Sequence, residues 1–215
     1  MTKSNITRRN LISATAVAGT GFVLTAACET ATPQTITPAQ TEGPFYPITE
    51  QVDKDADLTQ IEGQTGSASG EVIVVEGLVL DDAGAPIPDA VVDVWQANAG
   101  GRYSHEADPN PVALDPNFQG WAILKSDAEG RYRFKTVRPG AYPVNETWTR
   151  PPHIHFKVSR RGYREITTQM YFDGEPLNDI DSILNGFSED IREDLVAKQA
   201  STRAAFQFNV VLAKV

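Results

Sequence analysis

The chain of 215 residues has a single cysteine, Cys28, so it can form no internal disulfide and no cysteine-based metal cluster. Histidine is scarce as well, with three in all. No basic stripe is present: 19 Lys and Arg stand against 28 Asp and Glu, a formal net charge of -9. That balance excludes nucleic acid as a partner, because phosphates would meet no band of cations. Beyond that, the acidity signals only a soluble surface. Helical periodicity is also rare. What the chain does have is fourteen prolines and sixteen glycines, enough turns to suit an all-β fold better than a helical bundle. The apolar fraction of 40% suffices for one core.

Residues 1–27 contain no acid, and they carry Arg8-Arg9 ahead of an apolar run from Leu11 to Ala27. A basic start, an apolar middle and small residues at the exit predict a signal peptide over 1–27. The paired arginines before Leu11-Ile12 resemble a twin-arginine export signal, a route for proteins folded before export. Leu24-Thr-Ala-Ala-Cys28 resembles a lipoprotein cleavage box, with Thr25 where Leu is usual. Lipidated Cys28 would attach the protein to a membrane; the competing reading is an incidental cysteine in a cleaved leader. A membrane-spanning helix is the other alternative, but the run is short and rich in Ala, Gly and Thr. A mature chain from Cys28 would lose three cations and no acid, giving a net charge of -12.

Residues 28–70 read as a linker followed by loop. Positions 29–40 are polar and Pro/Thr-rich, and Thr41-Glu-Gly-Pro-Phe-Tyr-Pro47 is a compact turn motif. Residues 71–215 read as one domain, an antiparallel β-sandwich of about seven to eight strands with long loops and little helix. Strands are expected at 71–80, 90–96, 121–125, 131–137, 153–159, 166–172 and 205–213. In the second of these, Val92, Val94 and Gln96 share one face while Val91, Asp93 and Trp95 share the other. Only 188–200 shows helical spacing, through Ile191, Leu195 and Val196. The stretch from Ala97 to Gly120 is long for a connection, which points to function. It contains Tyr103 and the spare histidine, His105, which is read as a supporting or surface residue.

Two of the three histidines form His153-Ile154-His155. On a strand, residues two apart face the same way, so both imidazoles would aim at one point. Imidazole suits Zn, Cu, Fe or Ni, and two histidines on a polar sheet face is the competing reading. Tyr103 follows Gly100-Gly101-Arg102, and Tyr142 sits within Pro139-Gly-Ala-Tyr-Pro143, where the chain path is fixed. A phenol ionises near pH ~10, so only a strongly Lewis-acidic cation would hold it as phenolate at neutral pH. Fe³⁺ is such a cation.

Trp95-Gln-Ala-Asn98, Gly101-Arg-Tyr103, Leu114-Asp-Pro-Asn-Phe118, Pro139–Pro143, Arg150-Pro-Pro-His-Ile-His-Phe156 and Gln169-Met-Tyr-Phe172 follow Thr41–Pro47 in order. Together these seven motifs resemble an intradiol ring-cleavage dioxygenase of the protocatechuate 3,4-dioxygenase type, over roughly residues 41–175. The resemblance implies one Fe³⁺ per chain held by Tyr103, Tyr142, His153 and His155, with Tyr142 and His153 axial. It implies that Arg150 stabilises negative charge on the bound ring and that Gln169 hydrogen bonds beside the site. It implies that Trp95, Tyr46 and Val144 line the substrate pocket; at Val144 the protocatechuate-type enzymes commonly carry tryptophan. The implied partners are a small aromatic diol and O₂, with Tyr142 displaced by substrate and taking up a proton. The implied product is a cis,cis-muconate-type diacid, and the implied assembly is a homo-oligomer. The competing function is a non-catalytic module: Gly77–Val94 resembles the opening of transthyretin-like and carboxypeptidase-regulatory-like sandwiches.

Overall fold

The computed structural model describes residues 33–51, 53–200 and 204–215. The leader and Cys28 lie outside the described residues. Among those described, eleven strands form: β1 (Val72–Asp81), β2 (Val91–Trp95), β3 (Trp121–Lys125), β4 (Arg131–Val137), β5 (Tyr142–Asn145), β6 (Trp148–Arg150), β7 (His153–Ser159), β8 (Ile166–Phe172), β9 (Val196–Gln199), β10 (Ala205–Gln207) and β11 (Val210–Leu212). Four expected strands, β3, β4, β7 and β8, match their sequence limits to the residue.

The large sheet runs β11-β1-β10-β9-β8-β7-β2-β3, with β4 paired to β1; β5 and β6 make a separate hairpin. Its two ends meet in one core. Val75 of β1, Val94 of β2, Phe156 of β7, Met170 of β8 and Leu212 of β11 all belong to the same buried cluster, so the sheet folds over on itself as a sandwich. Each such side chain contributes about 1.5–3 kcal/mol by leaving water.

The expectation of an antiparallel sandwich needs correction, because the sheet is mixed. β1 pairs in parallel with β10 and β11, and β8 pairs in parallel with β9. The β8-to-β9 connection explains one parallel pair. It runs through residues 173–195 with two short 3₁₀ turns and one helical turn, long enough to cross over. The break between β10 and β11, expected as one strand, has a local cause at Gly77. A Cβ there would lie 1.8 Å from the carbonyl oxygen of Phe208, so the chain crosses β1 where no side chain obstructs it.

The expected helix over 188–200 shrinks to Glu189–Glu193. Val196 and Ala197 instead pair with Tyr171 and Phe172, while Leu195 is fully buried against Tyr171 and Leu184. Sheet pairing outweighs a helical spacing that only three residues supported.

The N-terminal segment is docked rather than free. Gln34 and Thr37 donate backbone hydrogen bonds to Asp82 and Val211, and Gln40 donates to Thr167. Leu58 is fully buried in the main core. Residues 41–47 cover the outer face of β2, so this strand is buried on both faces: Val92 and Val94 point into the core, Asp93 and Trp95 under the covering segment.

Candidate metal centre and substrate site

Three neighbouring strands and one loop bring the site together. β7 lies between β2 and β8, with Trp95 opposite His155 on one side and Gln169 opposite His155 on the other. His153 and His155 leave β7 on one face, as their spacing predicts, with ring centroids 5.0 Å apart. Tyr103 arrives from the long loop. Its path depends on Gly101, whose φ is +81° and whose Cβ would sit 2.4 Å from the carbonyl oxygen of Ala141. This close approach brings the Tyr103 loop against Tyr142, and the two phenol rings meet edge-on at 5.6 Å. Asn98 secures the same loop, its Oδ1 accepting from Gly100 and Arg102 N–H at 2.9 and 3.0 Å.

All four ligand-type side chains converge. Tyr103 Oη lies 3.2 Å from both His153 Nε2 and His155 Nε2. The ring of Tyr142 is 5.7 Å from that of His153. His153 Nδ1 contacts the Pro151 carbonyl at 2.7 Å; since a carbonyl only accepts, Nδ1 carries the proton and Nε2 a lone pair. His155 Nδ1 is buried without a hydrogen-bond partner. Burial, followed by the charge of Arg150, pushes the His155 pKa down to about 3, and the same two causes, with His155 added, hold His153 well below its ordinary value. Burial also raises both phenols, Tyr103 strongly. The pocket thus presents four neutral donors. Among the described residues no group of three or more His, Cys, Asp or Glu is placed to hold a metal, so a cation here must rest on the tyrosines.

Arg150 is the cross-strand partner of Tyr142 in the β5–β6 hairpin. It is 4% exposed and bonds Asp181 Oδ2 through Nε at 2.7 Å, and Gln169 Oε1 and Tyr171 Oη through Nη2 at 2.8 and 3.0 Å. Gln169 donates onward to the Thr41 carbonyl at 3.0 Å.

Trp95 stacks on His155, and Tyr46 meets the Trp95 ring edge-on at 4.9 Å. The Tyr46 hydroxyl donates to Asp93 Oδ2 at 2.7 Å and so serves as an anchor in this arrangement. Phe45, not singled out from sequence, packs on Tyr103 at 5.0 Å, which puts the Thr41–Pro47 turn against the site of its own chain. Val144 is not gathered with the others. It stands 48% exposed beside a register shift between Pro143 and Asn145 that breaks its alternation with Tyr142. His105 is half-buried near Phe45, its Nδ1 accepting from Ala107 N–H, outside the donor set.

The sequence reading missed Asp181, Tyr171, Asp93 and Asp108. Asp93 had a signal, an acid between valines on a strand, and it proves to accept from both Tyr46 and Trp121. Asp108 accepts the Tyr103 backbone N–H at 2.7 Å. Asp181 sits in Asn178-Asp-Ile-Asp181, where nothing separates it from its polar neighbours.

Residues 41–214 match the family model described as Dioxygenase. The chain belongs to the intradiol ring-cleavage dioxygenase family. It is 41% identical to the protocatechuate 3,4-dioxygenase beta chain of Burkholderia cepacia, over 79% of this chain and 76% of that one. It is 34% identical to catechol 1,2-dioxygenase 2 of Acinetobacter lwoffii, over 79% of this chain and 62% of that one, so it spans under two thirds of the longer relative. Among solved structures, the dioxygenase domain of a dioxygenase–carbohydrate-binding fusion from Streptomyces sp. SirexAA-E superposes with a TM-score of 0.61 at 28% identity, covering 84% of this chain and all of that one. Intradiol dioxygenases are enzymes, and a purely binding sandwich is set aside on this membership.

Proposed function

We propose that this protein is a ferric, non-haem dioxygenase that opens the ring of a catechol-type diol between its two hydroxylated carbons, using O₂ and yielding a cis,cis-muconate-type diacid. The observation that carries the reading is Tyr103 Oη at 3.2 Å from both imidazole Nε2 atoms. Tyr103 has one proton and cannot donate to both nitrogens. His153 Nε2 holds a lone pair, and His155 Nδ1 has no partner of its own. Two phenols and two imidazole Nε2 atoms thus crowd one point, and a cation in place of the phenol proton would engage the Nε2 lone pairs and the phenol oxygens together. Phenolate and imidazole donors fit Fe³⁺, one per chain, held by Tyr103, Tyr142, His153 and His155. When bound, the iron supplies Lewis acidity that keeps the phenols ionised and withdraws electron density from the diol.

The chain's own residues divide the remaining work. Tyr103 is pinned by Asp108 at its backbone and by both imidazoles at its hydroxyl. Tyr142, half-buried on a short hairpin and less enclosed than Tyr103, is the tyrosine that gives way to substrate, its Oη accepting a proton from a substrate hydroxyl. Arg150 offers fixed positive charge to the oxygens of the bound diol. Trp95 and Tyr46 form an aromatic wall beside His155 that excludes water.

Purified protein should contain about one iron per chain and show a broad phenolate-to-iron visible band. The band should shift with a panel of catechols, and products should gain both atoms of O₂. A colourless, zinc-loaded protein that stays inert after iron reconstitution would overturn the reading.

We further propose that residues 1–27 direct export of the folded protein and that Cys28 carries a lipid, so that diol substrates are met outside the cytoplasm.

A further inference from the structure

Arg150 has five N–H donors in a planar fork. Nε is taken by Asp181 Oδ2 at 2.7 Å, and Nη2 by Gln169 Oε1 at 2.8 Å and Tyr171 Oη at 3.0 Å. Those three bonds use the Nε hydrogen and both hydrogens of Nη2. Only the Nη1 edge is left for anything else.

The Asp181 carboxylate is fully buried, although the preceding Ile180 is 66% exposed. Its Oδ1 accepts from Ile183 and Leu184 N–H at 3.1 and 2.8 Å, while its carbonyl accepts from Asn185 N–H and Nδ2 at 2.9 and 2.8 Å. The turn between the 3₁₀ segments Pro176–Ile180 and Leu184–Gly186 is thus wrapped around this one residue. One oxygen of this acid thus serves the turn, and the other is turned inward onto the guanidinium. A second tie reaches Arg150 from the N-terminal side: Gln40 Nε2 donates to Tyr171 Oη at 3.4 Å, and Gln169 Nε2 to the Thr41 carbonyl.

We propose that Asp181 is a positioning residue of the ring-cleaving reaction: it fixes the guanidinium plane of Arg150 so that the Nη1 edge faces the substrate oxygens. The proposal rests on the ring-cleavage reading for its consequence and on the Asp181–Arg150 bond for its cause. A carboxylate on the Nε edge also polarises the fork and prevents rotation about the last side-chain bond. Preorganised charge of this kind gains its effect by needing no rearrangement as negative charge develops on the ring.

The test uses Asp181→Asn in the iron-loaded protein. Iron content and the phenolate band should match wild type, while kcat falls about 10–100-fold, the usual loss when a group supporting a functional side chain is removed. In an Arg150→Ala background the same substitution should cause no further loss of kcat. Equal, independent losses in both backgrounds would overturn the proposal and leave Asp181 a structural acid. If Asp181→Asn does not fold, Asp181→Glu keeps the charge and displaces the carboxylate, and its kcat should still fall with the band intact; wild-type kcat would overturn the proposal. A readout independent of turnover is the Arg150 Nε–H resonance in ¹⁵N-labelled metal-free protein. It should be protected from exchange in wild type and lose protection in Asp181→Asn; an unprotected wild-type signal overturns the proposal even if catechols are cleaved. A protected signal in a protein that cleaves no catechol would instead mean that the ring-cleavage reading has failed.

Discussion

The indole of Trp95 lies flat on the imidazole of His155, with ring centroids 4.7 Å apart and planes 11° apart. The two residues are direct cross-strand partners on β2 and β7. His155 differs from His153 in how it is held. His153 is fixed by a hydrogen bond from Nδ1 to the Pro151 carbonyl, whereas His155 Nδ1 has no such partner and its orientation comes from stacking. Tyr46 abuts Trp95 edge-on, and the Asp93 carboxylate accepts from both Tyr46 Oη and Trp121 Nε1 at 2.7 Å. An aromatic stack resting on a buried acid thus takes the place of a hydrogen bond.

Substitution at Trp95 should therefore reach the metal as well as the fold. Trp95→Ala should cost about 3–5 kcal/mol, as for other large-to-small core changes, and should loosen iron retention. Trp95→Phe keeps a flat ring over His155 and should cost less, with iron content near wild type. Thermal unfolding and iron analysis on the two variants check this. Full iron retention in a folded Trp95→Ala protein would show that stacking does not orient His155.

The two tyrosines should separate in their effects. Tyr103 Oη meets both imidazoles, and its backbone N–H is bound by Asp108. Tyr103→Phe should therefore weaken the iron site and lose most of the visible band. Tyr142 contacts the set from a half-buried hairpin, so Tyr142→Phe should keep most of the iron and slow substrate binding. Stopped-flow mixing with a catechol, set beside iron content, distinguishes them. Equal and complete iron loss in both variants would contradict the division of roles.

Local pattern made each of Tyr103, Tyr142, His153 and His155 a candidate, and the resemblance joined them into one set. The His153–His155 spacing fixed a common face on β7, and the glycines and prolines around Tyr103 and Tyr142 marked where loops come close. Position within a turn was harder to read. Asp181 and Tyr171 act through contacts with Arg150, 31 and 21 residues away, and no local pattern encodes such distances. Val144 was placed in the pocket by the resemblance alone, and in the structure it stands exposed beside the register shift after Pro143. The mixed sheet was hidden for a different reason: β9, β10 and β11 have four, three and three residues, too short to show a period or a direction.

Asp81 gives a pH-dependent prediction away from the site. Burial alone would raise its pKa, but the Lys214 ammonium at 2.7 Å and the N–H groups of Ala85 and Ala83 outweigh burial and lower it below its ordinary value of 3.8. A carboxyl with a depressed folded-state pKa contributes stability above its unfolded pKa and loses it as pH falls through the folded value. Denaturant midpoints should hold down to about pH 4 and then drop. Asp81→Asn should lower the midpoint at neutral pH and flatten that acid limb. A variant whose acid limb is as steep as wild type would remove Asp81 as its source.

The last prediction concerns location, and the docked N-terminus sharpens it. Residues 34–40 were expected to act as part of a spacer, yet Gln34, Thr37 and Gln40 are hydrogen bonded to the sandwich. If Cys28 is lipidated, about six residues remain between the lipid and the folded body, a reach of at most ~20 Å at the ~3.3–3.6 Å per residue of a fully extended chain. The enzyme would then work close to the membrane surface. Arg8→Lys together with Arg9→Lys should retain the protein in the cytoplasm if the paired arginines are the export address. Cys28→Ser should leave export intact and move the protein from the membrane fraction to the soluble one. Lengthening the stretch between Cys28 and Gln34 with a Gly/Ser insert should not alter turnover on a soluble catechol, since the donor set and Arg150 lie within the domain. Fractionation that is unchanged in both the arginine and the cysteine variants would remove the export proposal and leave the iron site standing on its own residues.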